Sequence, residues 1–184
     1  MWSCGLVVFF IIFARILNFN KSMRKTLLLA IALLFSLSVF SQENVYIINE
    51  SFEGTTLPQG WTKMGNGTNN WYISTSNIAG GKPNELHLQW TPPFNGTAYF
   101  VSPAVDLSGV SSAIMTLKHY PSFFGSHTAT VGVATSSDNG NTWNTVWSDQ
   151  YSENGQYTVL ENITSPDMGK SSVKFCFYFE GNSN

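Results

Sequence analysis

The chain has 184 residues, and the roughly 140 that follow residue 41 suffice for one domain with a sizeable core. That part holds five lysines, eleven acidic residues and no arginine, so its formal net charge is −6. This composition excludes nucleic-acid binding, because phosphate contacts need clustered lysine and arginine side chains. Its single cysteine, Cys176, also excludes an intrachain disulfide.

The first 41 residues have the pattern of a leader. Two basic residues follow Met23 and the apolar stretch 27–40 comes next, which is the order found in a secretory signal peptide. We therefore predict a signal peptide over residues 23–41, a start codon assigned too early, and a mature chain that begins at Gln42. The leader is expected to be an apolar helix, and Sec-type export would place the protein outside the cell or on its outer surface. An uncleaved anchor over residues 6–40 is the alternative, although charged residues interrupt it.

Residues 42–184 predict one all-β domain. Short runs of β-branched and aromatic residues alternate with clusters of Gly, Asn, Ser and Pro, and no stretch has helical periodicity. The predicted strands are 45–52, 70–74, 98–101, 113–120, 128–135, 142–147, 157–162 and 172–180. Their spacing favours a two-sheet antiparallel sandwich of jelly-roll type over a propeller, whose blades would repeat at roughly 40–50 residues.

The last predicted strand indicates which of its faces is buried. Val173, Phe175, Phe177 and Phe179 alternate with other residues, so we expect their side to pack inward. Cys176 lies on the opposite, mixed side. We expect it to be a small half-buried filler rather than a nucleophile, because no basic neighbour in sequence marks an activated thiolate.

The segment 53–97 is rich in Gly, Asn, Pro and Thr and is expected to be the loop region that carries function. Trp71 and Trp90 lie within it. We predict that both are open and bind a ligand, since tryptophan faces can stack on sugar rings. We expect core packing instead for Trp61, Trp143 and Trp147.

The octet SSDNGNTW at 136–143 matches the pattern S-x-D-x-G-x-T-W, known as an Asp-box, which recurs in sialidases and other glycan-processing propellers. Each residue type has a structural task in a turn. The predicted turn residues are Ser136, Asp138, Gly140, Thr142 and Trp143. We predict a hairpin loop rather than a catalytic element. A sialidase also needs guanidinium groups for its substrate carboxylate, and the region beyond residue 41 has no arginine.

Other candidate catalytic groups are few and scattered. They are the carboxylate pairs Glu50/Glu53 and Asp149/Glu153 and the histidines His87, His119 and His127. Close spacing of carboxylates in a β protein does not establish a shared cleft, and the histidines do not have the spacing of a zinc site. No nucleophile-elbow, P-loop or dinucleotide motif is present. We therefore predict that the protein is not an enzyme and has no catalytic residues.

Five sequence pieces occur in an order typical of one family. They are NESFEGTTLPQGW at 49–61, NNW at 69–71, AYFVSPAVDLSG at 98–109, the Asp-box octet, and VKFCFYFEGN at 173–182. In this order the chain resembles the secreted bacterial domains called cleaved adhesin or choice-of-anchor J, which are jelly-roll relatives of the MAM domain. The pieces span almost all of residues 49–182.

The resemblance implies a non-catalytic cell-adhesion module of a larger secreted or surface protein that binds host proteins or glycans. The alternative is a carbohydrate-binding appendage of a secreted glycoside hydrolase or protease. The resemblance also implies a structural Ca²⁺ with Glu53 among its ligands, with backbone carbonyls supplying much of the rest. Members usually continue into one more strand where this chain ends at Asn184, so we expect a domain truncated at its C-terminus and fused to further domains. No nucleic-acid partner and no membrane span of the mature chain are expected.

Overall fold

The computed structural model describes residues 45–123 and 127–183. The chain divides into two units, Met1–Tyr46 and Ile47–Asn184, and the fold is that of the second. The predicted leader and its cleavage site lie outside the described residues. Within the described ranges, no helix has the length and apolar character needed to cross a bilayer.

Nine strands and one short helix make up the described part of the domain. The strands are β1 (Thr62–Gly65), β2 (Trp71–Ser74), β3 (Glu85–Leu88), β4 (Asn95–Val101), β5 (Ala113–His119), β6 (Ala129–Ser136), β7 (Asn144–Tyr151), β8 (Tyr157–Ile163) and β9 (Lys174–Asn182). A 3-10 helix covers Thr68–Asn70. The prediction of an all-β fold is therefore confirmed.

The described strands form three antiparallel sheets. A five-stranded sheet has the order β1-β4-β9-β6-β7, and two-stranded sheets pair β2 with β3 and β5 with β8. The central strand β9 pairs along its length with β4 on one side and β6 on the other. A bulge between Val133 and Ala134 shifts the register of β6 against β7.

An aromatic core lies against one face of the five-stranded sheet. The Trp61 ring stacks on Phe100 at 5.1 Å between centroids and on Phe177 at 5.9 Å, with interplanar angles of 13° and 2°. Phe52 meets the edge of the same cluster, 5.4 Å from the Trp61 ring. Burial of such rings contributes roughly 1.5–3 kcal/mol each, so this cluster is a main source of stability.

The opposite face of β9 is also buried. Cys176 and Tyr178 are 1% and 9% exposed, on the side that the sequence predicted to be mixed. They form a second cluster with Val101 and Ala134, against which Met64 and Trp143 pack. The position of β9 at the centre of the sheet explains why Cys176 and Tyr178 are buried on the side opposite Phe175, Phe177 and Phe179.

The predicted strand 45–52 is wrong, because no strand forms there. Phe52 has a φ of 58°, outside the range of extended backbone. Its N–H donates a 2.7 Å hydrogen bond to Glu50 Oε1. The apolar residues of this segment predicted a strand, but Phe52 is packed into the core from an irregular loop.

Two strands within the segment 53–97 were not predicted. β1 and β3 have four residues each and lie among Gly, Asn and Pro residues that indicate loops. β1 pairs with β4, more than thirty residues away in sequence, from Thr62 opposite Val101 to Gly65 opposite Ala98. Tertiary pairing rather than local propensity therefore makes these strands.

Candidate functional site

The Asp-box octet connects β6 to β7 through a dense set of short hydrogen bonds. Ser136 Oγ accepts from Gly140 N–H at 2.8 Å and donates to Asp138 Oδ1 at 2.7 Å. Asp138 Oδ1 accepts from Thr142 N–H at 2.9 Å, and Asp138 Oδ2 accepts from Thr142 Oγ1 at 2.6 Å. The Asp138 carboxylate therefore stabilises the turn by accepting two hydrogen bonds from Thr142, four residues later.

These hydrogen bonds lower the pKa of Asp138 to about 2. The Thr142 hydroxyl is the largest cause, followed by the Thr142 backbone N–H and the Ser136 hydroxyl. Each donor favours the charged carboxylate. Near neutral pH Asp138 is ionised and engaged, so it has no proton to give as a general acid.

The Asp-box turn also packs onto the face of the five-stranded sheet. Gly140 has a φ of 91°, and a Cβ there would lie 3.2 Å from Met64 Cε and from Trp143 Cζ2. The Trp143 ring stacks on Tyr99 of β4 at 5.7 Å with an interplanar angle of 15°. The positive φ favours glycine at this position, and the closeness of Met64 and Trp143 adds to that preference.

Sequence reasoning missed a buried carboxylate, Asp167, which is 3% exposed. Its Oδ2 accepts from Thr135 Oγ1 at 2.6 Å and from Asn144 Nδ2 at 3.0 Å. Burial raises the pKa of Asp167, but hydrogen bonds from Thr135, Asn144 and Ser137 outweigh it and lower the pKa overall. Asp167 thus joins the two strand ends that flank the Asp-box. The available signal was the turn composition of Ser165-Pro-Asp.

His119 lies at the end of β5 inside an aromatic cluster. Its ring stacks on Tyr157 at 5.5 Å and meets Trp147 and Tyr151 edge-on at 5.5 Å and 5.2 Å. Desolvation lowers the pKa of His119, and the nearby Asp149 opposes this effect only partly. The imidazole is consequently held in its neutral form.

The protonation of His119 follows from its partners. Its Nε2 lies 3.2 Å from the Tyr151 hydroxyl, which also bonds to the Asp149 carboxylate. A carboxylate only accepts, so the hydroxyl donates to Asp149 and accepts from Nε2–H. His119 Nδ1 is buried and has no hydrogen-bond partner among the described residues. Desolvation, together with Asp149, raises the pKa of Tyr151 to about 12.

Cys176 is inert as a nucleophile. Cys176 is 1% exposed, so the expectation that it is only half-buried is wrong, and burial raises the pKa of its thiol to about 12. A protonated, enclosed thiol is a poor nucleophile. The side chain fills the second core cluster.

The two tryptophans predicted to bind a ligand occupy different environments. Trp71 is 7% exposed and packs against Phe100 at 5.5 Å, so the expectation that its ring is open is wrong. Trp71 begins β2 on the inward face, which the surrounding loop residues did not reveal. Trp90 is 67% exposed.

The loop that carries Trp90 is fixed on both sides. Gln89 N–H donates to the Asn70 carbonyl at 3.0 Å, and Asn70 Nδ2 donates to the carbonyls of Gln89 and Pro92 at 2.8 Å each. The Trp90 carbonyl accepts from Ser183 Oγ at 3.0 Å. The exposed ring therefore projects from an anchored backbone.

A surface pocket of about 190 Å³ lies on the same loop. Gly67, with a φ of 61°, is required in its wall, because a Cβ there would lie 2.7 Å from Phe94 Cδ1. The pocket combines hydroxyl and carboxamide groups with apolar rings, and none of its lining residues is charged. They are Gly67, Thr68, Asn69, Asn70, Pro92, Pro93 and Phe94.

Glu53, the predicted calcium ligand, is not part of a cluster of metal-binding side chains among the described residues. Within residues 45–123 and 127–183, no group of three or more His, Cys, Asp or Glu residues could hold a metal ion. The carbonyls of Glu53 and Gly54 both accept from Asn84 Nδ2, at 3.3 Å and 2.8 Å. Ca²⁺ takes six to eight oxygens, so these residues alone do not make a complete site.

The described residues define an all-β antiparallel domain that carries an exposed tryptophan, Trp90, on an anchored loop. No family model matches the chain, and neither does any curated protein. Among solved structures, it is similar to the K1 cleaved adhesin domain of Lys-gingipain (Kgp) from Porphyromonas gingivalis W83. The identity is 16%, the TM-score is 0.45, and the match covers 72% of this chain and 94% of that one. A likeness at this level does not assign a family or a function.

Proposed function

We propose that this chain is a non-catalytic binding module, secreted or held on the outer cell surface, that recognises a glycan through Trp90. The observation that carries the proposal is the 67% exposure of Trp90 on a backbone fixed by Asn70 and Ser183. A tryptophan face supplies a large contact area with little loss of side-chain freedom. A rigid support lowers the entropic cost of binding further.

The non-catalytic part of the proposal is supported by how the reactive side chains are used. Asp138 and Asp167 are ionised and hold turns through short hydrogen bonds. His119 is neutral inside its aromatic cluster, and the Cys176 thiol is protonated in the core. General acid–base and nucleophilic catalysis need such groups beside a substrate. These four instead stabilise the fold.

We also propose a jelly-roll sandwich of the cleaved adhesin or choice-of-anchor J type. Support comes from the way the resembling sequence pieces pack together. Phe52 and Trp61 of the first piece meet Phe100 of the third and Phe177 of the last in one aromatic core. Because these pieces pack against one another, each needs the others to bury its aromatic rings. This mutual packing supports the view that their order along the chain reflects one fold.

A carbohydrate-binding appendage of a secreted glycoside hydrolase or protease is the second candidate. The same exposed Trp90 favours it, since such appendages also present aromatic rings to sugars. The two candidates differ in what the domain is fused to. Sequencing the reading frame beyond Asn184 distinguishes them, because only the appendage requires an enzyme in the same polypeptide.

A structural Ca²⁺ at Glu53 is part of the proposal. It rests on the family resemblance, and the Glu53 and Gly54 carbonyls, which accept from Asn84 Nδ2, would have to exchange that donor for the cation. Calcium that binds the folded state raises the midpoint of thermal unfolding. We expect Ca²⁺ to raise this midpoint for the wild type and to do so less for Glu53→Gln. An equal response of both proteins would remove Glu53 from the site.

The binding function is tested on arrays of glycans and of extracellular host proteins with the purified chain. We expect binding to glycans that Trp90→Ala weakens roughly tenfold and Trp90→Phe largely retains. Ile114→Ala is the matched control, since Ile114 is 78% exposed on the sheet formed by β5 and β8. Binding only to proteins, or glycan binding that survives Trp90→Ala, would contradict the proposal.

A further inference from the structure

We propose that the pocket beside Trp90 takes one uncharged sugar ring, a neutral hexose or N-acetylhexosamine, and rejects acidic sugars. This inference rests on the proposed glycan-binding function and names its ligand class. The pocket lies between Thr68, Asn69 and Asn70 on one side and Pro92, Pro93 and Phe94 on the other. The pocket therefore offers hydrogen-bonding groups to the hydroxyls of a sugar and apolar rings to its C–H surface.

Asn70 decides which hydrogen-bond role the ligand must have. The residue is 1% exposed, and both of its amide hydrogens are engaged by the carbonyls of Gln89 and Pro92 at 2.8 Å. The only side-chain group that Asn70 can offer a ligand is the acceptor Oδ1. A ligand group that reaches Asn70 must therefore donate, through a hydroxyl or an N–H group. Sugar hydroxyls and the amide of an N-acetylhexosamine satisfy this requirement.

The absence of charge in the lining decides against acidic sugars. All seven lining residues are neutral. The ammonium group of Lys63 is engaged elsewhere, donating to the Trp71 carbonyl at 2.7 Å. A carboxylate placed in the pocket would lose water without gaining a cation, and this desolvation is unfavourable.

The size of the pocket limits it to one ring. Its volume of about 190 Å³ is below the roughly 300–1,000 Å³ of pockets that enclose drug-sized ligands. Trp90 precedes Pro92 by two residues and is not part of the lining. In this proposal the exposed ring adds affinity outside the pocket, and the pocket provides the selection.

The selection is tested by calorimetric titration of the purified chain with matched sugars. The probes are methyl glucoside and methyl galactoside, their N-acetylhexosamine counterparts, and methyl glucuronide and galacturonide. We expect each acid to bind at least about tenfold more weakly than its neutral partner. Each acid carries a carboxylate in place of the C6 hydroxymethyl group of its neutral counterpart, and the rest of the ring is the same.

A change of charge at the pocket rim gives a gain-of-function test. Asn69 is exposed, so Asn69→Lys places an ammonium group at the rim without disturbing the core. We expect this variant to reduce the preference for neutral sugars at least about threefold by improving binding of the uronides. Asn162→Lys, at an exposed position of β8, is the matched control and should leave the preference unchanged.

The outcomes separate the two levels of the proposal. If no sugar on the arrays or in the titrations binds, both the glycan function and the pocket assignment fail. If a glycan binds through Trp90 but acids and neutral sugars bind equally, the function stands and the pocket assignment is overturned. Equal effects of Asn69→Lys and Asn162→Lys on the preference would overturn it as well.

Discussion

Thr135 donates a 2.6 Å hydrogen bond to the buried carboxylate of Asp167 and so ties the end of β6 to the segment between β8 and β9. The same carboxylate accepts from Asn144 at the start of β7. Ser165 shares the network, with its Oγ 2.8 Å from Thr135 Oγ1. One acid therefore secures both strands that the Asp-box connects, although it lies outside the Asp-box itself.

Removal of this carboxylate should destabilise the domain strongly. Asp167→Ala leaves the Thr135 hydroxyl and the Asn144 amide without their acceptor, and we expect a loss of about 3 kcal/mol in the free energy of unfolding. Urea titration measures it. Asp106→Ala is the control, because Asp106 is exposed and its carboxylate accepts only locally, from the Ser108 N–H two residues along the chain. A loss no larger than that of the control would contradict the structural role of Asp167.

Asp138 should contribute stability that depends on pH. Its folded pKa of about 2 lies below the ordinary value of 3.8, so the contribution is complete above about pH 4 and is lost as the pH falls toward 2. The gap in thermal midpoint between wild type and Asp138→Asn should therefore be largest near neutral pH and close in acid. Thr142→Val, which removes one donor, should give a smaller gap. A gap that does not change with pH would disprove the assignment.

The strands with strong local patterns could be predicted from the sequence. β5 and β9 alternate side chains between two faces. Both strands begin and end within two residues of their predicted bounds. The turn residues of the Asp-box also predicted a loop between two strands, and the octet does connect β6 to β7. In these segments the local pattern and the tertiary environment agree.

The rest depends on partners distant in sequence. Trp71 is buried because β2 turns it toward Phe100, and nothing in the neighbouring polar residues indicates that orientation. Asp167 acquires its role from Thr135 and Asn144, more than twenty residues earlier. For the candidate site, the exposed Trp90 lay within the predicted loop region. The pocket could not be predicted, because it depends on the hydrogen bonds from the Asn70 side chain to the carbonyls of Gln89 and Pro92. Nothing in the local sequence indicates these hydrogen bonds.

Gly132 should be intolerant of any side chain. A Cβ at this position of β6 would clash with Tyr178 Cζ, because the tyrosine ring covers the glycine. Gly132→Ala must displace that ring from the second core cluster, and we expect a loss of about 1–3 kcal/mol in the free energy of unfolding. Gly54→Ala is the control, since its Cβ would meet only the Thr56 carbonyl at 3.6 Å. Equal free energies of unfolding for the two variants would contradict the packing of the Tyr178 ring on Gly132.

The His119 cluster should make the domain sensitive to mild acid. Protonation of the imidazole would place a second N–H at Nδ1, which is buried without an acceptor among the described residues. The folded pKa lies below the ordinary value of 6.5 because desolvation outweighs the attraction of Asp149. Stability is therefore complete above pH 6.5 and falls as the pH drops from 6.5 through the folded pKa.

Substitution of the imidazole tests this acid sensitivity directly. His119→Phe keeps an aromatic ring against Trp147, Tyr151 and Tyr157 but cannot titrate, so its urea midpoint should change less between pH 7.5 and pH 5 than that of the wild type. NMR titration of the His119 ring carbons measures its pKa in the folded protein. A pKa at or above 6.5, or an unchanged loss of stability in the variant, would show that the cluster does not resist protonation.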